Sequence, residues 1–463
     1  MLLWLVAIAF FMQTLDATIV NTALPAMAHS LGESPLRMQS VVIAYTLTMA
    51  MLIPASGWIA DKFGTRQVFL CAIVLFSAGS LLCAWSTSLG YLVASRVIQG
   101  IGGAMLLPVG RLAVLRAFPQ KEFLRAMSFV TVPGMIGPLV GPLLGGWLVE
   151  YVSWHWVFLI NIPIGVAGCV ATILFMPDFR RTAPGRFDLP GYLLLAAGMV
   201  MLSLGIEGLS DPRLGLWLSF ALLVAGPACV LVYWRRTRNQ ATPLFPPALF
   251  KVDAFRIGLL GNLFTRIGVG GMPYLIPLVL QIRLGYSALE AGMMMVPAAV
   301  AGIVIKRLAT ELIRTAGYRI VLIANTLLIG VTIASFAFFS PGQPLWLRII
   351  QLVVFGAANS LQFTAMNSVS LKDLDASLAS GGNSMQSTLL MLSMSLGVAV
   401  AGLLLSAFTA LLPAGTAGAG WTFPATFLSL GIVTAASAWI FRSLPHETLS
   451  RPRSGESDEK EAA

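Results

Sequence analysis

The chain has 463 residues, 57% of them hydrophobic and only 10% charged, with a net charge of +10; a typical soluble domain carries about 25% charged residues. A mean hydropathy of +0.85 over this length excludes a water-soluble globule, whose interior could not hide so much apolar side chain. The basic excess does not point to nucleic acid, because no polar domain exists to present it as a face.

Long apolar runs recur along the whole chain. Each is near the ~20 residues that carry a helix across ~30 Å of hydrocarbon. None alternates in polarity as the strands of a membrane barrel do. The runs predict fourteen spans, at 3–25, 39–59, 67–87, 90–113, 125–149, 156–176, 189–209, 214–234, 255–281, 288–308, 318–339, 345–366, 380–411 and 423–442. The first lacks a basic leader segment and is interrupted by Asp16, so it reads as a retained helix despite the small residues Ala26-Met27-Ala28 at its end. The loops are short except at 235–254, and the tail from Pro445 to Ala463 is polar and reads as disordered.

Lysine and arginine gather on alternate loops. One side holds Lys62, Arg66, Arg116, Lys121, Arg125, Arg180, Arg181, Arg186, Arg235, Arg236, Arg238, Lys251, Arg314, Arg319 and Lys372; the other holds little beyond Arg37, Arg213 and Arg283. Both termini are therefore expected in the cytoplasm. A short pattern also repeats. Asp61, Gly64 and Arg66 follow the second span, and Arg314, Gly317 and Arg319 follow the tenth with the same spacing. Two similar halves around a central site is a frequent transporter plan. The expected division is a six-helix bundle at 1–187, an inserted hairpin at 188–240, a second bundle at 241–443 and a cytoplasmic tail at 444–463.

Asp16 is the sharpest single residue. An ionised side chain at mid-span costs on the order of 2.5–3.5 kcal/mol. Burial there disfavours the charged form, so the carboxyl can load and release a proton as water access alternates. The competing reading is a helix-pairing acid bonded to Asn21 or to a neighbouring helix. Arg96 is also mid-span and keeps its proton; Asp16 or a backbone carbonyl are its available partners. Arg266 lies among Gly268, Gly270, Gly271 and Pro273, which permit close packing and a helix break. Lys306, Arg307 and Arg111 lie near span ends and read as snorkelling side chains. Asn21, Gln99, Asn359 and Gln362 join Arg266 as candidate cavity residues, with Met272, Met293, Met294, Met295, Met391 and Met394 as adaptable apolar surface.

The glycines of the fifth span, spaced by four, let two helices approach backbone to backbone, and Pro138 and Pro142 bend it. The second half has no mid-span carboxylate, since Glu290 and Glu311 lie near ends. That absence weakens a cationic substrate and favours an organic anion or a metal–carboxylate chelate. There is no Gly-rich loop ending in Gly-Lys-Ser/Thr, so an ion gradient is the expected energy source, with no cofactor. No nucleophile–base set appears, and the four cysteines lack metal-ligand spacing.

Several motifs carry a family resemblance. Leu15-Asp16-Ala-Thr18-Ile-Val-Asn21-Thr-Ala-Leu-Pro25, Gly57 to Arg66, Arg96-Val-Ile-Gln99-Gly100-Ile-Gly102, Gly137-Pro138-Leu-Val-Gly141-Pro142-Leu-Leu-Gly145-Gly146 and Trp154 to Gly165 are dense in the first half. Together they resemble the fourteen-helix drug:proton antiporter family of the major facilitator superfamily, with His155 where that family usually has arginine. The resemblance implies an all-α polytopic fold of two six-helix bundles plus a hairpin, in a bacterial inner membrane. It implies a monomer that exchanges a small molecule for protons, with no enzyme activity. It implies proton coupling through Asp16 and Arg96, a cavity faced by both Asp16 and Arg266, and a conformational latch at Gly57, Asp61, Lys62, Gly64 and Arg66. Gly137, Pro138, Gly141, Pro142, Gly145 and Gly146 are then the antiporter motif, a seam that seals one face of the cavity. For Asp61 a place at the start of the third helix is also expected, where a negative charge suits the dipole. A passive facilitator, with Asp16 purely structural, is the rival class.

Overall fold

The computed structural model describes residues 1–180, 187–210, 215–238, 240, 243–411 and 420–445. Arg181, Arg186, Arg213, the side chain of Lys121 and the tail beyond 445 lie outside the described residues. All regular structure among them is helical. The long elements are α1 (Leu2–Leu31), α2 (Gln39–Phe63), α3 (Thr65–Ala84), α4 (Leu89–Ala117) and α5 (Gln120–Tyr151). A short α6 (Trp156–Leu159) leads into α7 (Asn161–Phe175), followed by α8 (Leu189–Ser210) and α9 (Leu216–Thr237). The second half holds α10 (Asp253–Gly270), α11 (Met272–Leu278), α12 (Ala288–Ser335), α13 (Leu345–Leu371), α14 (Ala376–Leu411) and α15 (Thr422–Ala436). Among the described residues, 13 helices are long and apolar enough to cross a membrane.

α12 runs for 48 residues, about 70 Å at 1.5 Å per residue. That is more than twice the hydrocarbon thickness, and the helix turns at Gly317, whose φ of 75° and ψ of 157° are non-helical. Gly64, between α2 and α3, has φ 94° and ψ 146°. The sequence repeat thus lands on one backbone device used twice, in a region where a side chain costs about 1–3 kcal/mol. Asp61 falls in the last turn of α2 and not at the start of α3, because the helix break comes at Gly64. Its charge opposes the dipole there, and Arg116 compensates by pairing with it.

Within the first half α1 packs on α5, and α4 on α2 and α3; within the second, α12 packs on α13 and α10 on α14. The halves meet along α5–α12 and α2–α14, and the α8–α9 hairpin rests on α14 and α2. The cores are unequal at the two ends of the bundle. At the end away from Gly64 and Gly317, one cluster joins both halves, with Val20, Leu24, Met27 and Val41 beside Met272, Tyr274, Leu278 and Phe336. At the Gly64 end the cores are separate. Leu5, Phe69, Val109 and Val114 belong to one, and Ala254, Ile257, Val321 and Met366 to another.

Candidate functional site

Asp16 sits in the middle of α1 at 0% exposure, and Arg96 of α4 at 1%. Arg96 Nη1 donates to Asp16 Oδ2 at 2.6 Å and to Gln99 Oε1 at 2.6 Å. Arg96 and Gln99 are three apart on α4 and so share one face. Gln99 Nε2 donates to Asp16 Oδ1 and to Ser80 Oγ of α3, both at 2.7 Å. Asn161 Nδ2, at the first residue of α7, donates to Asp16 Oδ1 at 3.1 Å and to Ser80 Oγ at 3.2 Å. Arg96 Nε reaches Val41 O at 3.3 Å, and the Tyr45 ring lies 4.2 Å from the guanidinium carbon.

Small residues make this convergence possible. A Cβ on Gly79 would lie 2.5 Å from Gln99 N, and one on Gly102 would lie 2.5 Å from Phe76 N, so α3 and α4 touch backbone to backbone. The result is a buried charge pair whose polar atoms are mostly met by four helices. An unpaired charge at such a site would be very costly.

Of the two partners anticipated for Arg96, both are used. Asn21 is not a partner of Asp16: its Nδ2 donates back to Ala17 O at 3.2 Å and Thr18 O at 3.4 Å on its own helix. The remaining cavity candidates do not converge on one spot. Gln99 belongs to the Asp16 cluster. Gln362 Oε1 accepts from Asn325 at 2.7 Å and its Nε2 donates to Thr326 at 2.6 Å, so it ties α13 to α12. Asn359 is half-buried on α13. Arg266 is 9% exposed, donates to Asn262 Oδ1 and lies 4.9 Å from the Phe363 ring. Among the described residues no carboxylate pairs with it.

The fifth-span glycines serve two contacts. Gly137, Gly141 and Gly145 press on α1 around Thr14, Thr18 and Ile19, bracketing Asp16; a Cβ on Gly145 would lie 2.5 Å from Ile19 O. Gly146 instead abuts Ala288 and Leu289 of α12, and Gly292 abuts Pro142 O, across the halves. Hydrogen bonds close the same end. Gln281 Nε2 donates to Thr22 O at 3.0 Å, Tyr274 Oη to Leu36 O at 3.4 Å, and Leu289 N to Glu150 Oε2 at 3.2 Å. Pro138 is exposed and Pro142 buried on α5.

At the opposite end the residues expected to form a latch tie α2 and α3 to their own half. Asp61 pairs with Arg116 of α4, and Lys62 lies 4.7 Å over the Trp58 ring. Arg66 Nε donates to Met176 O at 2.5 Å and Arg66 N to Asp178 Oδ1 at 3.2 Å. Thr65 Oγ1 donates to Pro177 O at 3.0 Å. Gly57 is exposed, with open space where a Cβ would stand. No His, Cys, Asp and Glu grouping among the described residues could hold a metal ion.

Sequence reasoning missed Ser80 and Tyr45, single polar residues in apolar spans with no spacing signal. Asn161 lies within the Trp154 to Gly165 motif, which by itself gives it no role. Sequence spacing likewise gives no role to Arg348, which repeats with Gln351 the Arg-x-x-Gln spacing of Arg96 and Gln99. Arg348 is 5% exposed, donates to Ser340 O at 2.6 Å and meets the Tyr286 hydroxyl, bracing a loop; among the described residues no carboxylate pairs with it.

The profile of the Major Facilitator Superfamily matches residues 6–398. A relative from Pectobacterium carotovorum, named "Putative multidrug resistance protein MdtD", is 48% identical over 97% of this chain and 96% of its own length. One of the same name from Serratia proteamaculans is 50% identical over 88% of this chain and 85% of its own length. Among solved structures, a POT family transporter in complex with 5-aminolevulinic acid superposes with a TM-score of 0.72 at 16% identity, covering 95% of this chain and 94% of the other. The human organic anion transporter MFSD10 (TETRAN) gives 0.62 at 15% identity, with 95% and 98% covered.

Proposed function

The chain belongs to the Major Facilitator Superfamily; it is a polytopic membrane transporter and not an enzyme, and from that premise we propose that it is a proton-coupled exporter of amphipathic small molecules, drugs among them. The carrying observation is the sealed Asp16–Arg96 pair. Protonating Asp16 cancels its attraction for a guanidinium that cannot release its own proton. A buried charge stripped of its partner costs about 3–5 kcal/mol, so proton binding must be answered by a rearrangement of α1 against α4. That is the coupling step.

In this reading the membrane is the bacterial inner membrane and the working unit is a monomer. Counting α12 as two crossings either side of Gly317 makes fourteen, with both termini in the cytoplasm. The bundles are 1–187 and 241–443, with the hairpin 188–240 inserted. The joined core and the seam at Gly146 then lie on the outer side, and the separate cores on the cytoplasmic side. This is a cytoplasm-facing state, ready to load substrate. The latch would exchange its contacts with Arg116 and Asp178 when the molecule turns outward.

A second reading, export of an organic anion or a metal–carboxylate chelate, is favoured by Arg266, a buried cation beside an amide and a ring and paired with no carboxylate among the described residues. The two are separated in proteoliposomes with an imposed pH gradient. Ethidium and a set of carboxylates, with and without a divalent metal, are screened for substrate-evoked proton movement. Movement evoked by ethidium and surviving Arg266→Ala supports the first reading. Movement evoked by a carboxylate and lost in Arg266→Ala supports the second. Transport indifferent to the gradient overturns proton coupling in favour of a passive facilitator.

A further inference from the structure

The hydrogen bonds at Asp16 run in one direction. Arg96, Gln99 and Asn161 all donate to its two oxygens, an arrangement that fits the ionised carboxylate. When a proton arrives, the new O–H needs an acceptor. Arg96 has none to give. Gln99 Oε1 already accepts from Arg96 at 2.6 Å. Asn161 is 0% exposed, and its Oδ1 has no partner among the described residues. Half a turn of this amide exchanges its oxygen and nitrogen with little displacement of other atoms. Oδ1 then faces both Asp16 and Ser80, whose Oγ only accepts here, from Gln99 and Asn161.

We propose that Asn161 is a positioning residue that registers the proton on Asp16, donating to the carboxylate and, after turning its amide, accepting from the carboxylic acid. The inference rests on the reading of Asp16 as the proton carrier. The proton adds to a carboxylate oxygen; no other bond forms or breaks except hydrogen bonds. The titratable and charged groups that interact with Asp16 are Arg96 from α4, Tyr45 from α2 and Cys83 from α3; α5 presents glycines there and α7 presents Asn161. Asn161 opens α7 immediately after its break from α6. The residues that follow α7 bond the latch through Met176 O, Pro177 O and Asp178. A change at Asn161 therefore has a path along α7 to Met176–Asp178 and through their hydrogen bonds to Thr65 and Arg66.

The test is a pH titration by infrared difference spectroscopy on the full-length protein in lipid. The protonated-carboxyl band of Asp16 is identified by its loss in Asp16→Asn. In Asn161→Val the ionised form keeps Arg96 and Gln99, whereas the acid's O–H has no acceptor. Losing one of several bonds costs less than orphaning a buried group. The midpoint is expected to move to acid by about one pH unit, a tenfold rise in the protons required. Asn161→Thr, of the same shape as Val but able to donate and accept, keeps the wild-type midpoint. An unmoved midpoint in Val, or an equal shift in Thr, overturns the inference and leaves Asp16 as carrier. No band assignable to Asp16 overturns the carrier reading and the inference with it. If Asn161→Val does not fold, nitrogen-15 asparagine labelling gives the same decision. The side-chain amide signal absent from Asn161→Thr must shift across the Asp16 midpoint in wild type; a signal that stays still overturns the inference.

Discussion

Breaking the Asp16–Arg96 pair from either side should have unequal consequences. At 2.6 Å the pair's attraction is about 6 kcal/mol with an effective dielectric near 20. Much of that offsets the desolvation of two ions that are 0% and 1% exposed. Asp16→Asn leaves a guanidinium that cannot neutralise itself, so a loss of about 3–5 kcal/mol in unfolding free energy is expected. Arg96→Met leaves a carboxyl that can take up a proton, so its cost is smaller, about 1–3 kcal/mol. The double substitution buries no charge and should come within about 2 kcal/mol of wild type. The four proteins are compared by denaturant unfolding in lipid–detergent micelles. Coupling of at least about 2 kcal/mol is predicted; single effects that add to within about 0.5 kcal/mol would refute the argument.

Further outcomes follow from the two ends of the bundle. Gly146→Leu drives a side chain into the Ala288–Leu289 backbone and should open the outer seam, raising the labelling of a cysteine placed at Thr22 from the outer side; unchanged labelling counts against the cytoplasm-facing assignment. Gly64→Ala and Gly317→Ala force a side chain into positive φ and should each lower stability by about 1–3 kcal/mol, measured by thermal unfolding; loss in one only would break the equivalence of the two turns. Gln362→Leu removes its bonds to Asn325 and Thr326, leaving Asn325 the one to Ala358 O, and should cost about 1–3 kcal/mol while leaving substrate preference unchanged; altered preference would place Gln362 in the cavity.

Membrane helices were legible because hydropathy alone sets their length, and most observed ends fall within a few residues of the apolar runs. The residue types at Asp16 and Arg96 were legible too, since a charge at mid-span needs a partner. Their companions were not. Ser80, Tyr45 and Asn161 come from α3, α2 and α7, and only tertiary packing brings those helices together; a lone serine in an apolar run resembles any helix-packing serine. Gln362 illustrates the converse, as a buried amide bonded to Asn325 and Thr326 reads in sequence like one aimed at a ligand. Asp61 shifted helix because the break depends on a positive-φ glycine three residues on, not on where hydropathy falls.

The most direct test of the account separates movement from coupling. In proteoliposomes, wild-type protein and Asp16→Asn are compared for ethidium exchange without a gradient and for uphill ethidium transport driven by one. Asp16→Asn is expected to keep exchange and to lose gradient-driven accumulation. Accumulation that persists in Asp16→Asn would contradict proton coupling through Asp16 and remove it from the coupling step.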